Sequence, residues 1–291
     1  MRDDSNRLPL QGLRVLVSRP RQQAAAWQNC LRQAGADTLS ISLMSIEPLE
    51  EKAAIEAIKR VVMNMDHFQA AVFVSQNAVK YAFEWLDRYW PQLPVGVEYF
   101  AVGKATANAL RSHGLTAAEA GEAMNSEALL ALPSLQKVNG KKIAVFRGQG
   151  GRPFLGEKLV QRGAQVQYCE MYRRQLPPDS AELLAASDFG RNIGYNFGNS
   201  GGMRGAKKEV QDVISVHSGE TLANLIAVIG SFGRYGATSP SENSFKDLPL
   251  LVPGQRVAAL AGEKAFKKVI IAENATDKAM LTALIDWYRE N

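Results

Sequence analysis

The chain has 291 residues, of which 46% are hydrophobic, and this length and composition fit one large or two ordinary globular domains. Its two cysteines lie far apart and its three histidines are scattered, which argues against a disulfide scaffold and a metal site, while a net charge of +5 without a Lys/Arg block favours an anionic ligand over nucleic acid. No apolar run approaches the ~20 residues that span a bilayer and the first residues lack a secretion signal, so we expect a cytoplasmic protein without a membrane anchor.

Short apolar runs alternate with helix-like stretches along most of the chain. Most runs are unbroken, which is typical of strands buried on both faces of a parallel sheet. The helix-like stretches include Arg21–Gln33, Ala78–Trp90 and Asp277–Tyr288, and the alternation predicts an α/β fold. The predicted strands are Leu13–Ser18, Asp37–Leu43, Ala70–Ser75, Tyr99–Gly103, Lys142–Arg147, Gln165–Met171, Asp212–His217, Leu250–Pro253 and Lys268–Ala272.

An internal repeat organises these elements. A first module, VLVSRP followed by LRQAGADTLSISLM, returns as IAVFRG followed by LVQRGAQVQYCEMY, and 16 positions separate Arg19 from Gly35 and also Arg147 from Gly163. A second module, VFVSQNAV, AVGKATANAL and NSEALLAL, returns as ISVHSGETLANL, VPGQRVAAL and ATDKAMLTAL. The order of the modules predicts two similar lobes, which the repeat by itself leaves either tandem or interleaved.

Two segments interrupt the repeat. Residues 188–209 are basic and rich in Gly, Asn and Ser, and residues 230–247 are rich in Gly and Ser. These compositions predict loops or partly disordered insertions, with a functional lid as the alternative interpretation.

Several motifs follow one another in a distinctive order from about Leu13 to Tyr288, with the two insertions left out. They are V-x-V-S-R-P-R-x-Q, VFVSQNAV, AVGKATANALRSHG, FRGQGGRPFLGEKLVQRGAQVQYCEMYRR, SVHSGETLANL, VPGQRVAALA and VIIAENATDKAML. Together they resemble the uroporphyrinogen-III synthase family. The resemblance implies two flavodoxin-like lobes with parallel sheets, joined by a two-stranded connection. One lobe would comprise residues 1–43 and 177–291 and the other residues 49–169, with connecting strands at 44–48 and 170–176.

The resemblance also implies an enzyme that works without a cofactor or metal. Its substrate would be hydroxymethylbilane, a linear tetrapyrrole with eight carboxylates, which loses water, inverts ring D and closes to uroporphyrinogen III in tetrapyrrole (haem, sirohaem, cobalamin) biosynthesis. Such a protein is expected to be a monomer with a transient hand-over from the upstream bilane-forming enzyme, and to bind neither nucleic acid nor membrane. The alternative is a non-catalytic bilobed binding or regulatory module for an anionic small molecule.

Candidate site residues lie in the turns that lead the helices. Parallel sheets bind ligands beyond the carboxyl ends of their strands, where helix N-termini favour carboxylates, so a cleft between the lobes would suit the bilane. The serines here could equally cap helices, and the arginines could instead form surface charge or an inter-lobe ion pair. The candidates for substrate binding are Ser18, Arg19, Ser75, Gly103, Lys104, Arg147, Gly148, Gly150, Arg152, Ser218, Gly219 and Gly254.

Tyr172 is the candidate catalytic residue, because it occupies the position of the family's tyrosine implicated in catalysis. A phenol there would donate a hydrogen bond to the departing hydroxyl, or would pack against the inter-lobe connection. The GQGG segment at 148–151 lacks the spacing of a phosphate loop, so a carboxylate cradle is the better interpretation. His217 and Ser218 do not form a nucleophile–base pair, because adjacent strand residues face opposite ways.

Two positions depart from the family pattern. Gly254 stands where a serine is usual, which removes a possible carboxylate ligand, and Ala265 stands where a glycine is usual at a helix end, which predicts local strain.

Overall fold

The computed structural model describes residues 8–119, 125–191, 210–235 and 241–291. The chain forms two compact units, which we call the first unit (residues 1–45 with 175–291) and the second unit (residues 46–174). The strands in the described residues are β1 (Leu13–Val17), β2 (Asp37–Ser40), β3 (Ser45–Pro48), β4 (Ala70–Phe73), β5 (Glu98–Ala101), β6 (Ala118–Glu119), β7 (Lys142–Gly148), β8 (Gln165–Gln175), β9 (Gln211–Ser215), β10 (Pro249–Pro253) and β11 (Lys268–Ala272).

The helices lie between these strands, as an α/β fold requires. They are α1 (Arg21–Gln33), α2 (Lys52–Met63), α3 (Gln76–Tyr89), α4 (Lys104–Ser112), α5 (Ser126–Leu130), α6 (Pro133–Gln136), α7 (Phe154–Gln161), α8 (Ser180–Ala186), α9 (Gly219–Gly230), α10 (Glu242–Lys246), α11 (Gln255–Glu263) and α12 (Asp277–Glu290).

The sheet of the first unit is parallel in every pairing between its strands. Its order is β11-β10-β9-β1-β2, and β9 follows β2 along the part of the chain that forms this unit. Counted within the unit, the order is therefore 2-1-3-4-5, which is the flavodoxin-like order.

The sheet of the second unit has the order β3-β8-β7-β4-β5-β6, and its pairings from β8 through β6 are parallel. The repeat explains this order. Its first module forms β1–α1–β2 and β7–α7–β8, and its second module begins with β9–α9–β10 and β4–α3–β5. In the repeat, the counterparts of β2, β1, β9 and β10 are β8, β7, β4 and β5. The spatial order β2-β1-β9-β10 in the first sheet therefore corresponds to β8-β7-β4-β5 in the second. The two modules follow each other in opposite order along the part of the chain that forms each sheet.

Both faces of each sheet are buried. In β1, Val15 and Val17 pack into one apolar cluster with Trp27, whereas Leu16 between them packs into another cluster with Ile214. Because helices cover both faces of the sheet, successive strand residues are buried whichever face they point to. The strands are therefore unbroken apolar runs and do not alternate between apolar and polar residues. The predicted fold class, α/β with two parallel sheets, is confirmed.

Strands β3 and β8 lie side by side in the second sheet. The Leu49 backbone N–H donates to the Met171 carbonyl at 3.3 Å, and the Ser45 hydroxyl donates to the Gln175 carbonyl at 3.3 Å. From Ser45 to Leu49 the contact on β8 moves back from Gln175 to Met171, so the two strands run in opposite directions. Residues 165–175, predicted partly as a strand and partly as a connection, form the single strand β8.

The prediction of loops for both insertions is partly wrong. Residues 230–247 contain a 3-10 turn at Phe232–Arg234 and the helix α10, because Phe232 and Phe245 pack edge to face at 5.2 Å inside the core. Phe189, at the start of the other insertion, is fully buried against Phe245 at 6.0 Å. The parts of the insertions at 192–209 and 236–240 lie outside the described residues.

Candidate functional site

Each sheet has one position where the strand order reverses, and in doubly wound folds ligands bind there. In the first sheet this position lies between β1 and β9, and in the second it lies between β4 and β7. The turns at the carboxyl ends of these four strands contain predicted site residues, among them Ser18, Ser218, Ser75 and Arg147.

Tyr172 lies on β8, and its fully buried side chain reaches Ser75, which follows β4 at the reversal position of the second sheet. Its hydroxyl oxygen is 3.0 Å from the hydroxyl oxygen of Ser75. Ser75 also caps α3, since its hydroxyl oxygen accepts from the Ala78 backbone N–H at 3.1 Å. The Tyr172 ring stacks on Tyr81 at a centroid distance of 5.6 Å. Ser75 therefore has the predicted capping role, and its hydroxyl also contacts the phenol, while substrate binding by Ser75 stays a prediction.

Gly148 lies directly against the phenol ring. A methyl group added at its Cα would come within 2.7 Å of Tyr172 Cε2 and 2.8 Å of Cζ, closer than real carbon contacts. The next residue, Gln149, donates its backbone N–H to the Tyr172 carbonyl at 2.7 Å. The glycine is thus needed for the close approach between the loop that follows β7 and the Tyr172 ring.

Arg147, one of the predicted substrate-binding residues, is only 6% exposed. Its guanidinium carbon lies 4.7 Å from the centroid of the Tyr168 ring. A methyl group at Gly151 would come within 2.7 Å of its Nη2 atom. The guanidinium therefore lies close to both an aromatic ring and the glycine loop.

The backbone N–H groups of the loop at 149–151 already have partners within the second unit. Gln149 donates to Tyr172, and Gly151 donates to the Gly148 carbonyl at 3.3 Å. Gly150, which has a φ of +68°, donates to the carboxylate of Glu170 at 3.3 Å. The predicted carboxylate cradle therefore holds a carboxylate of the protein itself.

Sequence reasoning missed Glu170, although a signal was present. Tyr168 and Glu170 alternate along β8, and such residues share one face of a strand, whereas a register shift beside Gly148 places Tyr172 in the core cluster of Cys169 and Met171. Glu170 lies opposite Arg147 in the register of β7 with β8, and its Oε1 atom is 3.9 Å from Arg147 Nε. Both residues lie on predicted strands, but only the pairing register shows that they meet.

In the first unit, Ser18 and Arg19 serve the fold. Ser18 is fully buried and donates its hydroxyl to the Ser215 carbonyl at 2.6 Å. The capping interpretation of Ser18 is wrong, because the N-cap position of α1 is Pro20. The Arg19 guanidinium lies 2.6 Å from the Asp277 carboxylate and donates to the Ala275 carbonyl at 3.2 Å, which is an ion pair within the first unit instead of the expected inter-lobe pair.

The remaining predicted residues occupy helix starts. Ser218 caps α9 by accepting from the Thr221 backbone N–H at 3.0 Å, and Gly219 is the first residue of that helix. Gly103 and Gly254 precede α4 and α11 with φ values of +89° and +77°. This left-handed backbone favours glycine at both positions.

Two exposed cations complete the predicted set. Lys104 is the first residue of α4, and Arg152 lies in the segment before α7. Both are exposed, whereas the side chains of Arg19 and Arg147 are largely buried.

His217 follows β9 and has both ring nitrogens buried. Among the described residues, neither nitrogen has a hydrogen-bond partner. The ring meets Trp27 edge on at 5.6 Å. Burial, and secondarily the charge of Arg19, lowers the pKa of His217 from 6.5 to about 3, so the imidazole is neutral near pH 7.

The structure keeps His217 and Ser218 apart for a different reason from the predicted one. Strand β9 ends at Ser215, so the alternation of strand residues does not apply to them. Instead, the Ser218 hydroxyl is bound to the N-terminus of α9 and lies 2.9 Å from the Thr221 hydroxyl.

Within the described ranges, no three His, Cys, Asp or Glu side chains converge as a metal site would need. Nor does any helix in the described part of the chain combine the length and apolar composition needed to cross a bilayer.

The structure therefore brings Ser75, Arg147, Gly148, Gly150 and Tyr172 together in the second unit. It assigns Ser18 and Arg19 to internal contacts of the first unit. Fold and site together define a doubly wound α/β protein built from a repeated module, with serine- and glycine-led helix starts at the carboxyl edge of each sheet.

Comparison with known proteins identifies the family. A family model described as "Uroporphyrinogen-III synthase HemD" matches residues 25–282. The "Uroporphyrinogen-III synthase" of Escherichia coli (strain K12) is 32% identical over 275 residues, which cover 93% of this chain and 99% of the relative. That of Salmonella typhimurium is 32% identical over 272 residues, covering 93% and 99%. The chain belongs to the uroporphyrinogen-III synthase family.

Solved structures agree on the fold. A mutant uroporphyrinogen III synthase from the extremely thermophilic bacterium Thermus thermophilus superimposes with a TM-score of 0.58 at 16% identity, over 96% of this chain and all of that one. Uroporphyrinogen-III synthetase from Helicobacter pylori 26695 gives a TM-score of 0.51 at 16% identity, over 94% and 99%.

Proposed function

We propose that the protein converts hydroxymethylbilane to uroporphyrinogen III, with loss of water and inversion of ring D. Its reaction class would be that of a carbon–oxygen lyase, because a C–O bond breaks as water leaves. The observation that carries the proposal is the near full-length similarity to the Escherichia coli relative, 93% of one chain and 99% of the other. The family model's range, 25–282, includes Ser75, Arg147 and Tyr172.

Tyr172 is proposed to assist the departure of the hydroxyl group. The Ser75 hydroxyl oxygen already accepts from the Ala78 N–H, so its own proton is available to donate to the Tyr172 oxygen 3.0 Å away. In that arrangement the phenol proton remains for the leaving hydroxyl of the substrate. Tyr172 is fully buried, so this role needs the loop at 148–151 to move aside when the substrate binds.

The helix starts are proposed to bind carboxylates of the bilane. In the second unit these are Gly103 and Lys104 at the start of α4, together with the exposed Arg152. In the first unit they are Ser218 with Gly219 at α9, and Gly254 at α11. Their backbone N–H groups and positive ends of the helix dipoles favour anions, and holding a long flexible anion lowers the entropic cost of cyclisation.

Freshly generated hydroxymethylbilane tests the proposal, because without an enzyme the bilane closes uninverted to isomer I. A catalyst yields isomer III, whereas a non-catalytic anion-binding module leaves isomer I as the product. A monomeric state, a cytoplasmic location and hand-over from the bilane-forming enzyme stay predictions.

A further inference from the structure

The loop between β7 and α7 holds a carboxylate that belongs to the protein. The Gly150 N–H and the Arg147 guanidinium both approach the same oxygen of Glu170, at 3.3 and 3.9 Å. A backbone N–H and a cation converging on one carboxylate oxygen is the arrangement by which proteins bind carboxylate ligands.

These contacts are long. Hydrogen bonds between charged groups are usually about 2.7–2.9 Å, so neither contact of Glu170 has the geometry of a tight ion pair. The Glu170 side chain is also 37% exposed, whereas that of Arg147 is 7% exposed. The cation is therefore fixed by the fold, while the carboxylate is held loosely and can be reached from solvent.

The repeat offers a comparison within the same chain. Arg19 occupies the position that corresponds to Arg147, as VLVSRP corresponds to IAVFRG. Arg19 is held by Asp277 at 2.6 Å and by the Ala275 carbonyl. The arginine of the first unit is thus fully engaged by a close partner, whereas the arginine of the second unit has a distant carboxylate.

We propose that Glu170 is a placeholder anion, and that a carboxylate of the substrate displaces it from Gly150 and Arg147. This inference rests on the proposed function. It adds that the loop at 148–151 is a subsite for a substrate carboxylate, and that competition from Glu170 lowers the affinity of this subsite. Because one carboxylate replaces another, the positive charge of the buried Arg147 guanidinium keeps a nearby negative charge. An empty site would leave that buried charge uncompensated. Glu170 is accordingly an affinity-setting residue.

The test compares Glu170→Gln with wild type for binding of uroporphyrin III, a stable octacarboxylate macrocycle, at low ionic strength. Glutamine keeps the shape and removes the charge, so we expect about fivefold tighter binding and a similarly lower KM for hydroxymethylbilane. The matched control is Glu51→Gln, which removes a carboxylate that pairs with Arg173 in the same unit and should leave both values within twofold. Unchanged or weaker binding by Glu170→Gln would overturn the inference.

A second measurement guards against a misfolded loop. In ¹⁵N-labelled protein, the Gly150 amide resonance should move on addition of uroporphyrin III in both wild type and Glu170→Gln. A Gly150 resonance that does not respond in wild type also overturns the proposal. Failure of the proposed function is distinguishable, since it would appear as absence of isomer III in wild type, whatever the effect of Glu170→Gln on binding.

Discussion

The hydroxyl oxygens of Ser75 and Tyr172 lie 3.0 Å apart, and this contact joins the first turn of α3 to strand β8. The two residues are 97 positions apart in the sequence. The contact lies where the order of strands in the second sheet reverses, so a phenol is held at the place where doubly wound folds bind ligands.

Removing the phenol oxygen should impair turnover more than binding. We expect Tyr172→Phe to lower kcat about 100-fold, the lower end of what a positioned proton donor contributes, with KM changed less than threefold. Steady-state assays of isomer III formation measure both. Tyr81→Phe is the control, since Tyr81 stacks on Tyr172 but donates to the Ile46 carbonyl, and its kcat should remain within threefold. If kcat of Tyr172→Phe stays within twofold of wild type, the phenol has a packing role only.

Adding a methyl group at Gly148 should displace the same ring. Ala at this position would approach the Tyr172 ring to about 2.7 Å, and such overpacking costs ~1–3 kcal/mol of unfolding free energy. We expect Gly148→Ala to lose that stability in urea unfolding and to lose activity as Tyr172→Phe does. Gly233→Ala is the control, because nothing lies within 4 Å of its added methyl. Wild-type activity and stability in Gly148→Ala would refute the close approach.

Much of the fold was predictable, because the signals are local. Every predicted strand occurs, and the helix Arg21–Gln33 has the predicted bounds. The repeat also predicted two similar sheets. The helix α10 was missed because Gly and Ser dominate residues 230–247, whereas the isolated Phe232 and Phe245 decide the packing.

The site was less predictable, because its partners are distant in sequence. Nothing local indicates that Arg19 pairs with Asp277 or that Arg147 faces Glu170. Burial depends on such partners, so sequence alone could not separate the enclosed Arg147 from the exposed Arg152. The family resemblance identified Tyr172, but only the three-dimensional register brings it to Ser75.

Ala265 was predicted to be strained, and it has a φ of +64° at the end of α11. The Ala265 N–H donates to the Gly262 carbonyl, and the Phe266 N–H donates to the Ala261 carbonyl. A helix that ends in this way favours glycine at the position of Ala265. We expect Ala265→Gly to raise the unfolding free energy by ~1 kcal/mol, because a left-handed backbone costs ~1–2 kcal/mol for non-glycine residues. Ala258→Gly, inside the same helix, should instead lower it by ~1 kcal/mol. Urea midpoints of both variants measure this, and a loss of stability in Ala265→Gly would contradict the strain.

Protonation of His217 should destabilise the protein in acid. The pKa of His217 is about 3 in the folded state and 6.5 ordinarily. At a pH between these two values, His217 is therefore protonated in the unfolded chain and neutral in the folded chain. The unfolding free energy therefore falls as pH drops below about 6.5, by up to ~1.4 kcal/mol per pH unit from this group.

The variant His217→Val tests this, since Val74 occupies the corresponding position of the repeat. Urea unfolding between pH 7 and pH 4 should show a shallower loss of stability than in wild type. His67→Val, at an exposed histidine, should follow the wild-type curve. Parallel curves for His217→Val and wild type would mean that the imidazole is protonated in the folded protein.

The isomer ratio formed from hydroxymethylbilane tests the central claim most directly. Purified protein, added in catalytic amounts to freshly generated bilane, should yield uroporphyrinogen III in excess over isomer I, with the excess growing in proportion to protein. A product mixture that stays isomer I at every protein concentration would contradict it.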